Sequence, residues 1–438
     1  MKTTKKPIRQ FVFLFLVLIV AFSVTTLTKQ NQTLASNNEA KGCVFLTVMG
    51  QENSDSDFVY NTPANVKTSI EGGLTWIAKA QQNNGGWGAG TNMRQDIIDP
   101  HAVKTDPATT AMVCMALQRS GNTLDKGEYS KQLSKGLEHL LQCVEKADAN
   151  STTITEEKGT QIQVKLGGNI DVILTSQFLS NVLPLASADS KLKSRIEKCQ
   201  NVCVSKIQKA QDSNGSIKSS GWAGVLQSSF ATSALEAAQA NGAKVDEVAL
   251  EKSRDFQKSN YNETTGEVNT ATGAGVVLYS VTSSNRAASK DAREVTEDFE
   301  KAKKDGKIEK DAKVTAENLK KIGYTEEKAK KSTSAYKVYN STKAKSQEKN
   351  VMSGFGNNGG EEFLSYLQTG ESMVIGKDTD WKKWYENISG HLVTIKNDDG
   401  SWSGHHCITS PVFCTATCVL ILSINNDIDK LTATGKTK

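Results

Sequence analysis

The chain has 438 residues, 37 % of them hydrophobic and 6 % aromatic, with a formal charge of +5. Residues 286–349 alone carry 18 Lys/Arg against 12 Asp/Glu, and outside that stretch and four N-terminal cations 31 basic residues face 36 acidic ones. The length suits one large domain or two ordinary ones, and a mildly acidic body excludes a nucleic-acid platform.

Lys2, Lys5, Lys6 and Arg9 precede an uncharged apolar run, Phe11–Val24. Cations followed by a run this short describe a signal-peptide h-region better than a spanning helix, which needs about 20 residues. No small-x-small cleavage site follows closely, because 25–32 is polar and Ala35 lies late. Residues 1–29 are therefore read as a signal peptide or signal anchor. The protein is expected to be exported, either to the periplasm or medium or held in the cytoplasmic membrane through residues 10–28. Residues 30–65 read as a linker.

From residue 66 the chain repeats a pattern. A helix carrying Lys, Glu and Gln on one face ends in a polar turn with glycine, usually followed by an aromatic. A second, largely apolar helix comes next, with Thr beside a small residue near its start. The pairs fall at 66–83/108–120, 128–147/169–187, 190–211/229–241, 246–258/270–283 and 380–396/410–424, and a further inner helix lies near 360–375. A helix apolar on most sides is buried, and one with a polar face lies outside. A single hairpin cannot bury its apolar face, so the units must stack. Six such hairpins can close into a ring. The expected fold is an all-α (α/α)6 toroid with inner and outer helix rings, a linear solenoid being the alternative.

Repeats one to four occupy 66–285 and repeats five and six 350–426, with 427–438 a tail. Between them, 286–349 has few large apolar residues. It reads as a charged flexible insertion with short solvated helices, one near 314–322.

Gln81-x-x-x-Gly85-x-Trp87 fits the glutamine–tryptophan repeat of the squalene cyclase and protein prenyltransferase superfamily. Gln211-x-x-x-Gly215 fits without the Trp, and Lys396-x-x-x-Gly400-x-Trp402 fits without the Gln. The chain resembles bacterial secreted proteins with prenyltransferase/squalene oxidase repeats, over 66–283 and 351–425. The resemblance implies an α/α toroid in which Gln81, Trp87, Gln211 and Trp402 tie one repeat to the next. It does not carry the superfamily's chemistry. The Asp-x-Asp-Asp acid of class II cyclases is replaced by Asp106-Pro107-Ala108-Thr109, and no Asp-x-Cys zinc pair or Cys-Gly-Glu-Gln thioester motif is present.

Two stretches stand out chemically. Gly404-His405-His406-Cys407 to Cys414 gathers two of the five histidines and two of the eight cysteines. His405, His406, Cys407 and Cys414 are candidate metal ligands, zinc being the cofactor that this donor set would suit. Cys407 and Cys414 are equally candidates for a disulfide. Glu361 and Glu362 open an inner helix, where carboxylates also simply favour the helix dipole. Asp106 and Asp171 stand at inner-helix starts, where N-capping explains an acid. If His405, His406, Glu361, Glu362, Asp106 and Asp171 converge at one cavity mouth, acid–base catalysis follows. Such an enzyme would be a polysaccharide lyase or hydrolase, or an atypical terpenoid-handling enzyme. If they are scattered caps, the reading is a non-catalytic protein binding a ligand or partner protein at the toroid cavity.

Overall fold

The computed structural model describes residues 60–186, 190–218, 221–429 and 431. The expected signal or anchor segment, 1–29, and the linker up to residue 59 lie outside them. Among the described residues no helix is long and apolar enough to cross a membrane.

Fifteen α-helices are described: α1 (Ala64–Lys79), α2 (Pro107–Arg119), α3 (Ser130–Lys146), α4 (Gln161–Leu166), α5 (Ile170–Val182), α6 (Ser190–Lys209), α7 (Gly224–Ala240), α8 (Glu247–Lys258), α9 (Val277–Lys304), α10 (Ala316–Lys321), α11 (Glu326–Ser346), α12 (Lys349–Met352), α13 (Gly360–Ile375), α14 (Trp381–Thr394) and α15 (Pro411–Leu422). No β-strand appears among the described residues, only isolated bridges.

The inner ring is α2, α5, α7, α9, α13 and α15. Each packs on the next, and α15 packs back on α2, which closes the circle. Every residue of α2, α5, α13 and α15 is buried. The outer helices show the opposite pattern. In α3 only one stripe is buried, from Leu133 through Leu137 and Leu140 to Val144, as a 3.6-residue period requires. Each outer helix packs on the inner helix preceding it in the chain, and α1, which has none before it, packs on α15. For most units the compact hairpin is thus inner-then-outer, not the outer-then-inner unit read from the sequence, whereas α8 packs on α7 before it and on α9 after it.

The turns after the outer helices form the seams. Gly85, Gly215 and Gly400 have φ of 84°, 93° and 93°, a left-handed conformation that a side chain disfavours. In each turn the glycine N–H donates three residues back, to Gln82, Asp212 and Asn397. Each glycine then abuts the next outer helix round the ring: Lys135 of α3, Lys252 of α8 and Gly72 of α1. Gln81 Nε2 donates to Gly85 O at 2.8 Å and to Gln132 O of α3 at 2.9 Å. Gln211 repeats this with Gly215 O and Ala249 O of α8.

Trp87 and Trp402 are fully buried. Their Nε1 atoms donate to carbonyls ten residues back, Ile77 O at 2.9 Å and Leu392 O at 2.8 Å. Each ring lies where a glycine leaves a hole in the next outer helix, Gly136 for Trp87 and Gly73 for Trp402. The inner-helix threonines latch the same turns. Thr110 Oγ1 accepts from Trp87 N at 2.9 Å, and Thr415 Oγ1 accepts from Trp402 N at 2.8 Å. In the second copy Ile217 takes the Trp position and donates to Ser228 Oγ at 3.0 Å. A fourth copy, Tyr261–Val268 with Gly266 at φ 73°, escapes the sequence reading because its turn is one residue longer, Asn262 N donating to Glu267 O.

The stretch 286–349 is not a flexible excursion. α9 runs straight through residue 286, and α11 returns beside it as the outer helix missing from the fifth unit. Asn285 Nδ2 donates to Tyr339 O at 2.9 Å. Val295, Phe299, Leu319 and Ala329 form a small second core where α9 and α11 extend together. Its few apolar residues are spaced to meet, which a tally of charge does not reveal.

At the inner helices' C-terminal ends, Arg119 holds Glu371 and Asp427, each at 2.6 Å, with all three side chains buried. Asp427, taken from the sequence as the first residue of a tail, is thus part of the core. Removing one partner of a buried charge cluster costs about 3–5 kcal/mol. Arg119→Leu should therefore lower stability by that order in chemical denaturation. Trp87→Ala should cost a similar 3–5 kcal/mol, the range for a buried aromatic.

Candidate functional site

The N-termini of all six inner helices share one rim, and hydrogen bonds stitch them in order. Ala108 N donates to Asp171 Oδ1, Asn169 N to Gln227 Oε1, Val225 N to Thr272 O, Tyr279 OH to Glu362 Oε1 and Gly360 N to Ile408 O. The loop before α15 closes the circle, with Thr409 Oγ1 donating to Gln95 O at 3.2 Å. Gln161 Oε1 accepts from Thr409 N at 2.7 Å and Ser410 N at 3.1 Å, so that loop also rests on α4.

Two acid clusters sit on this rim. Asp106 caps α2, accepting from Thr109 N at 2.7 Å and Ala89 N at 2.8 Å. Asp171 accepts from Ala108 N and from Gln163 Nε2 at 2.7 Å. Both are fully buried. Burial raises both carboxyls above their usual range, and the charge of Asp106 raises Asp171 further. Their oxygens are spent on N–H donors, so these are structural caps.

The second cluster is chemically more open. Glu362 is 0 % exposed. Its Oε1 accepts from Tyr279 OH at 2.5 Å and Phe355 N at 2.9 Å, while Oε2 has no hydrogen bond. His406 Nε2 stands 3.7 Å from that Oε2, and the ring of Phe355 meets the His406 ring edge-on at 5.3 Å. Gly354 and Gly359 make room here, since a Cβ on either would strike Glu362. Beside it, Glu361 Oε2 accepts from Ile408 N at 3.3 Å. Burial, and then the neighbouring Glu362 charge, push Glu361 up to about 8. The Lys165 charge opposes that shift.

The structure brings together Glu361, Glu362, His406 and Cys407 but not the other candidates. His405 is exposed, held by its backbone N–H to Asn358 O. Asp106 lies in the other cluster. Cys407 and Cys414 are not joined, and Cys414 Sγ donates to Ile408 O at 3.4 Å. Among the described residues no three His, Cys, Asp or Glu side chains gather as a metal site, so the four-ligand set His405, His406, Cys407 and Cys414 is not assembled. The reason is local: adjacent residues of one loop point apart, with Cys407 at φ 57°. Burial and Glu361 push the Cys407 thiol up to about 12, which keeps it protonated and a poor nucleophile.

Sequence reasoning missed Lys165, Trp222, Tyr279 and Phe355. Lys165 stands on the short helix α4, its Nζ 4.2 Å from the centre of the Trp222 ring. Their only sequence signal is a single polar or aromatic residue set in a small or aliphatic run. Phe355 and Trp222 are 65 % and 61 % exposed, and on the same rim Met93 and Ile98 are 87 % and 66 % exposed. The inner helices, by contrast, are closed to solvent, every residue of α2, α5, α13 and α15 being buried. Gln368 of α13 reaches past its ring neighbour to Ser229 of α7 at 3.0 Å.

No family model matches this sequence, and no curated protein matches it. Solved structures give matches. A variant of the type II terpene cyclase MstE from Scytonema, in complex with the product merosterolic acid A, is 11 % identical over 83 % of this chain and 98 % of its own, with a TM-score of 0.45. The apo form is 9 % identical over 84 % and 100 %, with a TM-score of 0.43. These neighbours are type II terpene cyclases. The ring assignment stands on the helix contacts described above.

Glu361 has a raised folded pKa. Between about 4.5 and 8 the folded state holds a proton that the unfolded state has released, so stability falls as pH rises through that window. Glu361→Gln should flatten the fall of the thermal midpoint between pH 5 and 8.5. An unchanged slope would show that Glu361 is not the group responsible.

Proposed function

We propose that this protein is an exported, non-catalytic docking module that binds a protein partner across the N-terminal rim of its helical ring. The observation that carries this reading is the placement of Met93, Ile98, Trp222 and Phe355. Four large exposed apolar side chains stand on loops of one rim, and three rim elements bearing them touch α4 or the 404–410 loop. Exposed apolar groups gathered on one face mark an interaction surface. A small-molecule site buries most of its ligand in a concave pocket. Inner helices closed to solvent, with apolar residues standing out from the rim, favour a macromolecular surface instead. Export is supported by the cationic flank and apolar run at the N-terminus.

The acid–base reading is favoured by one observation, the Glu362–His406 pair with Glu361 beside it. Fully capped Asp106 and Asp171, a protonated Cys407 and inner helices closed to solvent weigh against it.

The test is hydrophobic exposure. The full chain should bind the apolar dye ANS, and the double substitution Phe355→Ser and Trp222→Ser should reduce that signal at least about twofold without lowering the thermal midpoint, since exposed positions contribute little to stability. A signal unaffected by both substitutions would remove the rim as the docking face.

A further inference from the structure

Beneath Trp222 the fold holds one largely buried lysine whose ammonium is left without an anion. Lys165 is 6 % exposed. Among the described residues its ammonium has no ion pair and no hydrogen bond, and its contact is with the face of Trp222. Lys206, also buried, is different: its Nζ donates to Asp148 O at 2.6 Å and Ser151 O at 2.7 Å. The other buried cations are paired in the ordinary way, Arg119 with Glu371 and Asp427, and Arg286 with Glu236 at 3.1 Å. Buried charges are normally paired, because removing one from water is costly.

The surroundings of Lys165 do not supply the missing anion. Glu361 is near enough to feel its charge, yet its Oε2 turns to Ile408 N, and burial keeps its proton on at neutral pH. Cys407, also close, stays a thiol. On the outer side the ammonium is covered by Trp222, itself largely exposed.

We propose that Lys165 is the anchor of the docking surface and takes a carboxylate side chain of the partner, an Asp or Glu flanked by apolar residues that pack on Trp222 and Phe355. The proposal rests on the docking reading and adds the chemistry of the partner to it. A carboxylate meeting Lys165 forms a charge-assisted hydrogen bond in a partly desolvated place, where such bonds exceed neutral ones in strength. Trp222 then stacks over the pair and shields it from water. Apolar neighbours fill the rim between Phe355 and Ile98. Charge selects the partner's register, and apolar contact supplies most of the binding, as in interfaces generally.

The test is peptide display against the immobilised full chain, with Lys165→Gln, Lys165→Arg and Phe355→Ser as parallel targets. The expected result is enrichment of segments with one acidic residue between apolar ones. A chemically synthesised copy of the winning segment should lose about tenfold in affinity against Lys165→Gln, the worth of one charge-assisted bond, and recover with Lys165→Arg. Replacing its acid with the amide should lose the same factor on the native protein and nothing on Lys165→Gln. All three targets must keep the native thermal midpoint, which excludes misfolding as the cause. Enrichment of apolar segments with no acidic preference would overturn the Lys165 proposal and leave the docking surface standing. Enrichment indifferent to Phe355→Ser would overturn both. Binding to phosphatidylglycerol vesicles with no peptide enriched would also overturn it, making the anion a lipid headgroup.

Discussion

The structure depends on one repeated contact: a turn at the end of an outer helix clamped onto the next outer helix round the ring. Gly85, Gly215 and Gly400 let the backbone approach, and Gln81 and Gln211 bond across to the neighbour's carbonyls. Trp87 and Trp402 fill glycine holes in α3 and α1. Each contact is modest, because a hydrogen bond contributes about 1 kcal/mol net and an isolated hairpin cannot bury its own apolar face. Closure changes that. The last turn seats on the first outer helix, so the ring has no terminal unit and no frayed edge. α15, the most apolar helix, is covered by α13, α2 and α1 at once.

Much of this was legible. Helix existence followed from the apolar period, and the six helices that bracket the turns at Gly85, Gly215 and Gly400 were bounded within about five residues. The glutamine–tryptophan spacing pointed to the seam, and Gln81, Trp87, Gln211 and Trp402 form the ties implied. What failed did so for physical reasons. The fifth outer helix, α11, was hidden because composition measures average polarity. It takes only a stripe such as Ala335, Val338, Tyr339 and Thr342 to bury one face. The threonines Thr110 and Thr415 were noticed as a pattern, but their latching of the Trp backbone depends on three-dimensional proximity. In most units the hairpin's order differs from the one read, because adjacency in sequence is not adjacency in packing; α8 and α9 are the pair that packs as read.

The candidate site was half legible. His406, Glu361 and Glu362 meet, although 43 residues lie between Glu362 and His406 along the chain. The metal and disulfide readings assumed that neighbours in one loop converge. A loop with Cys407 in a left-handed conformation instead sends His405 outward and Cys407 toward Glu361. Lys165 carried no signal, since one lysine in an apolar helix is common and its lack of an anion is visible only when everything around it is placed. The rim therefore joins two kinds of chemistry. Asp106 and Asp171 are satisfied as caps and burial holds the proton on Glu361, while exposed apolar residues stand on the same rim as Lys165, whose ammonium has no ion pair among the described residues.

The central claim is that the ring is closed, so that its first and last helices form one cooperative unit. Hydrogen exchange on the Trp402→Ala variant tests it most directly. Trp402 lies late in the chain but seats against Gly73 of α1. In a closed ring, protection should fall together in α1, α2 and α15, at opposite ends of the sequence. Loss confined to residues 395–422, with α1 as protected as in the native protein, would contradict closure and describe an open solenoid.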